Sequence, residues 1–246
     1  MKRVLIASLI TLISFTVSAA QMWSRLEIAA KPGAQAGLIA AFDAFNATPA
    51  ANANPVTIYL SAVNFNGQSA ATHSFSVLHA SRTDMANYWM NVQQTPEWIA
   101  MSASNANLAS PVSDFAATIV KGWGEASNAD RRWVSMYLNV SDPEALLSAF
   151  DKAMSSSMGE NFPGQMWLSQ IEFGHDRPGG IATHILTAGY ESTAEREIWM
   201  DRMNGSDEGK AMWASLRNAS EIVGSDYHVT LRLHNNELSI EDIDQQ

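Results

Sequence analysis

The sequence predicts an α+β protein in which one unit of about 110 residues, ordered β-α-β-β-α-β, occurs twice in tandem. Three observations carry this reading. Ala71-Thr72-His73 recurs 111 positions later as Ala182-Thr183-His184, and the same shift pairs Ser81 with Ser192, Glu97 with Glu208 and Ala100-Met101 with Ala211-Met212. Small register slips add Trp23 with Trp133, Ala41-Phe42-Asp43 with Ala149-Phe150-Asp151, and Trp89-Met90 with Trp199-Met200. In both halves the apolar spacing switches from the two-residue period of strands to the longer period of helices in the same order.

Taken along the chain, Lys2 and Arg3 followed by the uncharged run Val4 to Val17 and the small residues Ser18-Ala19-Ala20 read as a secretory signal over 1–20. The run is short for a bilayer span, which needs roughly 20 apolar residues. The expectation is therefore cleavage after Ala19 or Ala20, and a periplasmic or secreted product with no membrane attachment once the signal is removed.

The first repeat, 21–123, opens with the alternating strand Trp23 to Ala29. Ala34, Leu38, Phe42 and Phe45 then recur at helical spacing after Pro32. Strands follow at Val56 to Phe65 and Ala70 to Ala80. A second helical stretch starts at Ser81-Arg82-Thr83-Asp84 and restarts at Thr95-Pro96-Glu97, and Phe115 to Trp123 closes the unit.

A linker at 124–131 leads to the second repeat, 132–236. Its strands are Trp133 to Val140, Met166 to Phe173, Ile181 to Tyr190 and Tyr227 to His234. Asp142-Pro143-Glu144 offers a cap, a first-turn proline and an acid at the positive helix end. Ser192-Thr193-Ala194-Glu195 is a capping-box pattern. Residues 237–246 form a tail.

Composition excludes several function classes. The net charge is −10, and loss of Lys2 and Arg3 with the signal leaves 13 basic against 25 acidic residues. Nucleic acid and anionic membrane surfaces need the opposite sign, so neither is an expected partner. The absence of cysteine removes disulfides and lipidation through an N-terminal cysteine. The sequence carries no nucleophile elbow, phosphate-binding glycine loop, zinc signature or dinucleotide fingerprint, and no metal site is expected.

The β-α-β-β-α-β order is the split βαβ, or ferredoxin-like, arrangement. Two such units back to back resemble the dimeric α+β barrel superfamily, which includes antibiotic-biosynthesis-monooxygenase-like domains, haem-handling enzymes and stress-response barrels. The resemblance covers nearly all of the mature chain and rests on element order and duplication. It implies an intramolecular pseudo-dimer in which two sheets enclose a shared interior, helices lie outside, and a monomer suffices. It does not by itself imply an activity.

Strand alternation suggests where a site would sit. Val134, Met136, Leu138 and Val140 make one face of their strand, and Trp133, Ser135, Tyr137 and Asn139 the other. Leu26 and Ile28 likewise oppose Trp23, Arg25 and Glu27. In the last strand Tyr227, Val229, Leu231 and Leu233 oppose His228, Thr230, Arg232 and His234. With the apolar faces under helices, the mixed faces point into the barrel. Trp23, Arg25, Trp133, Tyr137, His228 and Arg232 are then the candidate ligand-binding residues, combining ring area with directed hydrogen bonds. The pair Arg25 and Glu27 reads equally as a surface ion pair.

His73 and His184, equivalent in the two copies, are the candidate catalytic residues or haem ligands, although each shares its strand face with apolar neighbours and neither has a partner at motif spacing. Tyr190 stands where the first copy has His79. The loop His175-Asp176-Arg177-Pro178-Gly179-Gly180 places two ionisable groups beside a flexible hairpin. Three functions compete: a binding protein holding a small, partly apolar molecule inside the barrel, a cofactor-independent monooxygenase or haem-handling enzyme of the same fold, and an interaction module with an inert barrel. Haem is the one cofactor the resemblance suggests, and no motif demands it.

Overall fold

The computed structural model describes residues 20–125, 127–174 and 181–238. Residues 1–19, 126, 175–180 and 239–246, among them most of the expected signal and the expected loop His175 to Gly180, lie outside the described residues.

In the first repeat the elements run β1 (Met22–Ala30), α1 (Gln35–Asn46), β2 (Val56–Phe65), β3 (His73–His79), α2 (Arg82–Val92), α3 (Pro96–Leu108) and β4 (Ala109–Gly124). The second repeats them as β5 (Arg132–Val140), α4 (Pro143–Met154), β6 (Gly164–Gly174), β7 (His184–Tyr190), α5 (Thr193–Gly205), α6 (Asp207–Ala219) and β8 (Ser220–Asn236). Each helix in the second crossover restarts where expected. Thr95 and Ser206 cap α3 and α6 by accepting from Trp98 N and Gly209 N. Asp142 caps α4 through Ala145 N, and Ser192 with Glu195 forms the full capping box at α5.

All eight strands close into one barrel in the order β1-β3-β2-β8-β5-β7-β6-β4, with every pair antiparallel. Within each repeat the order is the ferredoxin-like 4-1-3-2. The two seams between repeats are β2 with β8 and β4 with β6. The last strands are therefore longer than periodicity suggests, 16 and 17 residues, because each begins directly at the preceding helix end and serves two partners. Ala109 to Asp114 pair only with β1, Phe115 to Thr118 with β1 and β6, and the residues from Ile119 to Gly124 with β6. Leu238, in the segment read as tail, turns back into the interior, and Thr57 Oγ1 donates to its carbonyl.

Closure creates an inside and an outside for every strand. Inside, Trp23, Tyr59, Phe115, Trp133, Tyr137 and Trp167 form one buried aromatic cluster with Leu78, Ile119, Ile185 and Leu238. Trp133 lies directly opposite Gly189, where a Cβ would come within 2.3 Å of its ring, so the large ring needs the missing side chain.

Outside, the two repeats differ. Between the sheet and α4, α5 and α6 lies a continuous core that includes Phe150, Leu168, Leu186, Trp199, Met212 and Leu216. Under α1, α2 and α3 the corresponding layer is broken into two separate clusters. The cause is in α3, whose middle reads Ser102-Ala103-Ser104-Asn105-Ala106 and which buries none of its residues, whereas α6 buries Met212, Leu216 and Ala219.

Candidate functional site

The interior polar groups come from both repeats. Arg25 on β1 is buried and its Nη1 donates to Tyr137 Oη on β5 at 3.2 Å. Tyr137 in turn donates to Asp226 Oδ2 on β8 at 2.8 Å, and Arg25 Nη1 stands 3.8 Å from the same oxygen. His228 Nε2 lies 2.6 Å from Asp226 Oδ1 and 3.1 Å from Arg25 Nη1. A carboxylate only accepts, so the shorter contact has His228 Nε2–H donating to Asp226, and the Arg25 Nη1 approach is then a contact between two donors and not a hydrogen bond. Ser74 Oγ meets the other ring nitrogen at 3.2 Å. Glu27 is also buried and accepts from Ser113 Oγ at 2.8 Å. Burial, then the neighbouring Asp226 charge, raises the Tyr137 hydroxyl well above its ordinary pKa, so it stays a donor.

These observations place five of the six expected site residues together, Trp23, Arg25, Trp133, Tyr137 and His228. Arg232 is a correction. A bulge between Thr230 and Arg232 sets Arg232 opposite Leu60, on the outer face, and its Nε reaches Asp43 of α1 at 3.1 Å. The same slip turns Leu233 inward and His234 outward. Arg25 and Glu27 are not a surface pair: both are interior, and Arg25 is matched to Asp226 of the other repeat. Asp226, Tyr59, Phe115 and Trp167 escaped the sequence reading. Continuing the β8 alternation two residues upstream of His228 reaches Asp226, which lies just before the strand start that periodicity suggests at Tyr227.

The expectation that this interior holds a ligand meets a volume limit. The cavity among Trp23, Arg25, Tyr59, Trp133, Trp167 and His228 is about 40 Å³. That admits a few waters, which would serve the otherwise unpaired Tyr59 hydroxyl and Trp167 Nε1, whereas small-molecule sites run to about 300–1,000 Å³. Oxygen and nitrogen atoms of Glu27, Asp226 and His228 lie within 4.8 Å of one another, a spacing a metal could use. The Arg25 guanidinium supplies a positive charge beside Asp226 and His228.

The histidines lie elsewhere. His73 Nδ1 faces Thr72 Oγ1 at 3.0 Å and its Nε2 faces Gln35 Oε1 of α1 at 3.2 Å, so it pins a strand end beneath a helix. His184 repeats the first contact with Thr183 at 2.9 Å. Burial lowers both pKa values. The structure therefore brings neither into the interior cluster.

His79 is the unusual one. It is fully buried beside Tyr88 and Trp89, with ring centroids at 5.3 and 6.4 Å, and neither ring nitrogen has a partner. Burial pushes its pKa down to about 4, against a smaller opposing pull from Asp84. A histidine depressed in the fold supplies stability above its ordinary pKa that is lost as pH falls toward the folded value. His79→Leu is expected to be at least as stable as wild type at pH 7.5 and more stable by about 2 kcal/mol at pH 5. Urea unfolding at the two pH values measures it; parallel loss in both proteins would refute the burial argument.

A much larger space exists outside the barrel, in the first repeat. A cleft of about 620 Å³ separates the outer face of β1, β2, β3 and β4 from α1, α2 and α3. Its walls include Phe42, Phe45, Phe75, Tyr88, Trp89 and Trp98, with Ser24, Asn46, Gln93, Ser102, Asn105 and Asp114 as polar points. Phe45 and Trp98 meet edge to face at 5.6 Å, and Trp98 meets Trp89 at 5.5 Å, giving an aromatic end. No histidine is among the wall residues. The usual haem ligand is therefore missing from this cleft among the described residues, where Tyr88 and Met101 are the wall residues of types that hold haem iron in other proteins.

No protein-family model matches this chain, and no curated protein matches it. Solved structures do. A candidate monooxygenase from Fusobacterium nucleatum aligns with a TM-score of 0.63 at 10% identity, covering 90% of this chain and 97% of its own. A candidate monooxygenase from Lactobacillus acidophilus gives 0.63 at 9% identity, with 89% and 98% covered. A haem-binding protein from Thermus thermophilus gives 0.52 at 8% identity, with 87% and 92% covered. At such identity the likeness concerns fold alone. The chain has the dimeric α+β barrel fold, with both ferredoxin-like halves carried by one polypeptide.

Proposed function

We propose that this protein binds a small, largely apolar molecule in the cleft between the first-repeat sheet and α1, α2 and α3. The observation that carries the reading is the difference between repeats: a space of about 620 Å³ stands open in the first, and packed side chains occupy its counterpart in the second. A fold that fills this layer once has no packing reason to leave it hollow the other time, because lost contacts cost stability. The size and the apolar walls with a few polar points are those of a small-molecule site. The barrel interior serves as the rigid support, its charges tied across the repeats.

Export, and a monomer sufficient for function, belong to the same proposal. The charged start, apolar run and small residues before Gln21 support removal of 1–20, and the closed eight-strand barrel supports a single copy.

The neutral fluorophore N-phenyl-1-naphthylamine tests the site. The mature protein is expected to bind one equivalent with a fluorescence rise. Ser102→Trp, which projects a large ring from α3 into the cleft, is expected to weaken binding at least tenfold without lowering the melting temperature. Undiminished binding by that variant would remove the cleft as the site.

A further inference from the structure

Three polar side chains on the cleft walls stand where the second repeat has apolar core. Ser24 of β1 matches Val134 of β5: each follows the equivalent tryptophan, and they pair with the equivalent β3 and β7 residues Val77 and Ala188. Asn46 ends α1 as Met154 ends α4, both helices being 12 residues long. Asn105 of α3 falls on Leu216 of α6, four residues beyond the matched pair Met101 and Met212. Val134, Met154 and Leu216 all pack in the second-repeat core.

In the first repeat the corresponding atoms are unpaired. Ser24 Oγ, Asn46 Oδ1 and Asn105 Oδ1 are each hidden from water without a hydrogen-bond partner. Asn46 is the most informative. Its Nδ2 is committed to Phe42 O at 2.9 Å, which fixes the amide and leaves an oxygen that can only accept. A buried polar atom without a partner is costly, and three on one cleft call for a common explanation.

The positions also give a dimension. Asn46 follows Phe45, which touches Trp98, whereas Asn105 lies seven residues beyond Trp98 on α3. At 1.5 Å per residue that is a separation of about 10 Å along the helix. The acceptors thus belong to different ends of the cleft, with Asn46 next to the aromatic end.

We infer that the cleft selects ligands with an aromatic body and hydroxyl or amine hydrogens near both ends, received by Asn46, Asn105 and Ser24 once side-chain shifts in the walls uncover these atoms. The inference rests on the cleft being the binding site. The acidic net charge agrees, since it disfavours anionic ligands and not neutral or cationic donors.

The test compares 4,4′-biphenol, which donates at both ends, with 4,4′-dimethoxybiphenyl, which only accepts, and with biphenyl, which does neither. Affinities are read by quenching of tryptophan fluorescence in the full mature protein. Biphenol is expected to bind at least tenfold more tightly than the dimethoxy compound, equivalent to about 1.4 kcal/mol. The triple variant Ser24→Val, Asn46→Met, Asn105→Leu installs the second-repeat residues. It is expected to fold with an unchanged or higher melting temperature and to narrow the preference to under about threefold while still binding biphenyl.

Equal affinity of the diol and its dimethyl ether in wild type overturns the donor inference and leaves the cleft standing. Retention of the full preference by the triple variant overturns the role of these three residues. Failure of all three compounds to bind overturns the cleft itself, and the inference with it.

Discussion

Replacing Arg25 with methionine is expected to lower the unfolding free energy by about 3–5 kcal/mol, the largest single effect anticipated from the barrel interior. The guanidinium comes from β1, and the groups it serves, Tyr137, Asp226 and His228, come from β5 and β8. Methionine keeps much of the volume, so the loss measures the charge and not a cavity. What it leaves behind is Asp226, fully buried as a side chain, with its cation gone. Removing one partner of a buried pair costs more than the pair contributes, because the remaining charge loses its counter-ion and keeps only its hydrogen bonds, here from Tyr137 and His228. Arg25 also lies over the rings of Trp23 and Phe115, at 4.8 and 5.8 Å from their centroids, which adds to the loss. Adding Asp226→Asn to Arg25→Met is expected to restore part of the stability, since it removes the stranded charge. Chemical unfolding of the two variants and wild type decides this. A loss below about 1 kcal/mol for Arg25→Met would mean that water reaches the interior and screens the cluster.

The inside of this barrel was legible because strand alternation survives closure. Trp23 and Arg25 share a face for the same reason that Trp133 and Tyr137 do, and the duplication supplies each assignment twice. Arg232 failed because a β-bulge is invisible to periodicity: one extra residue at Leu231 exchanges the faces of everything after it. Asp226 failed for a related reason, since a long last strand starting directly at a helix end gives no turn signal at its true beginning. The cleft was not read at all, although its signal was present. Aligning the repeats for similarity gave the fold. Aligning them for difference gives the site, because Ser24, Asn46 and Asn105 replace Val134, Met154 and Leu216 at positions that periodicity assigns to the core. Whether a polar residue on a core face is paired is a three-dimensional fact, and only the structure supplied it.

One tryptophan from each outer layer turns that asymmetry into a second measurement of large effect. Trp199 on α5 is buried in the second-repeat core, stacks edge to face on Phe162 at 4.8 Å, and donates Nε1 to Met158 O at 3.2 Å. Trp199→Ala is expected to cost about 3–5 kcal/mol, the transfer free energy of the ring plus an uncollapsed cavity. Trp89 follows Tyr88, the α2 residue that matches Trp199 by its distance from the helix cap, and it is only half-buried and borders the cleft. Its removal widens a space that already exists, so less contact is lost and no new enclosed void forms. Trp89→Ala is therefore expected to cost less than half as much as Trp199→Ala, and to weaken N-phenyl-1-naphthylamine binding, which Trp199→Ala leaves intact wherever the protein stays folded. Thermal and urea unfolding give the first comparison and fluorescence titration the second. Equal destabilisation at the two sites would mean that α2 and α3 close down on the sheet in solution. A hollow first repeat and a packed second one predict different outcomes at a tryptophan on the corresponding helix of each.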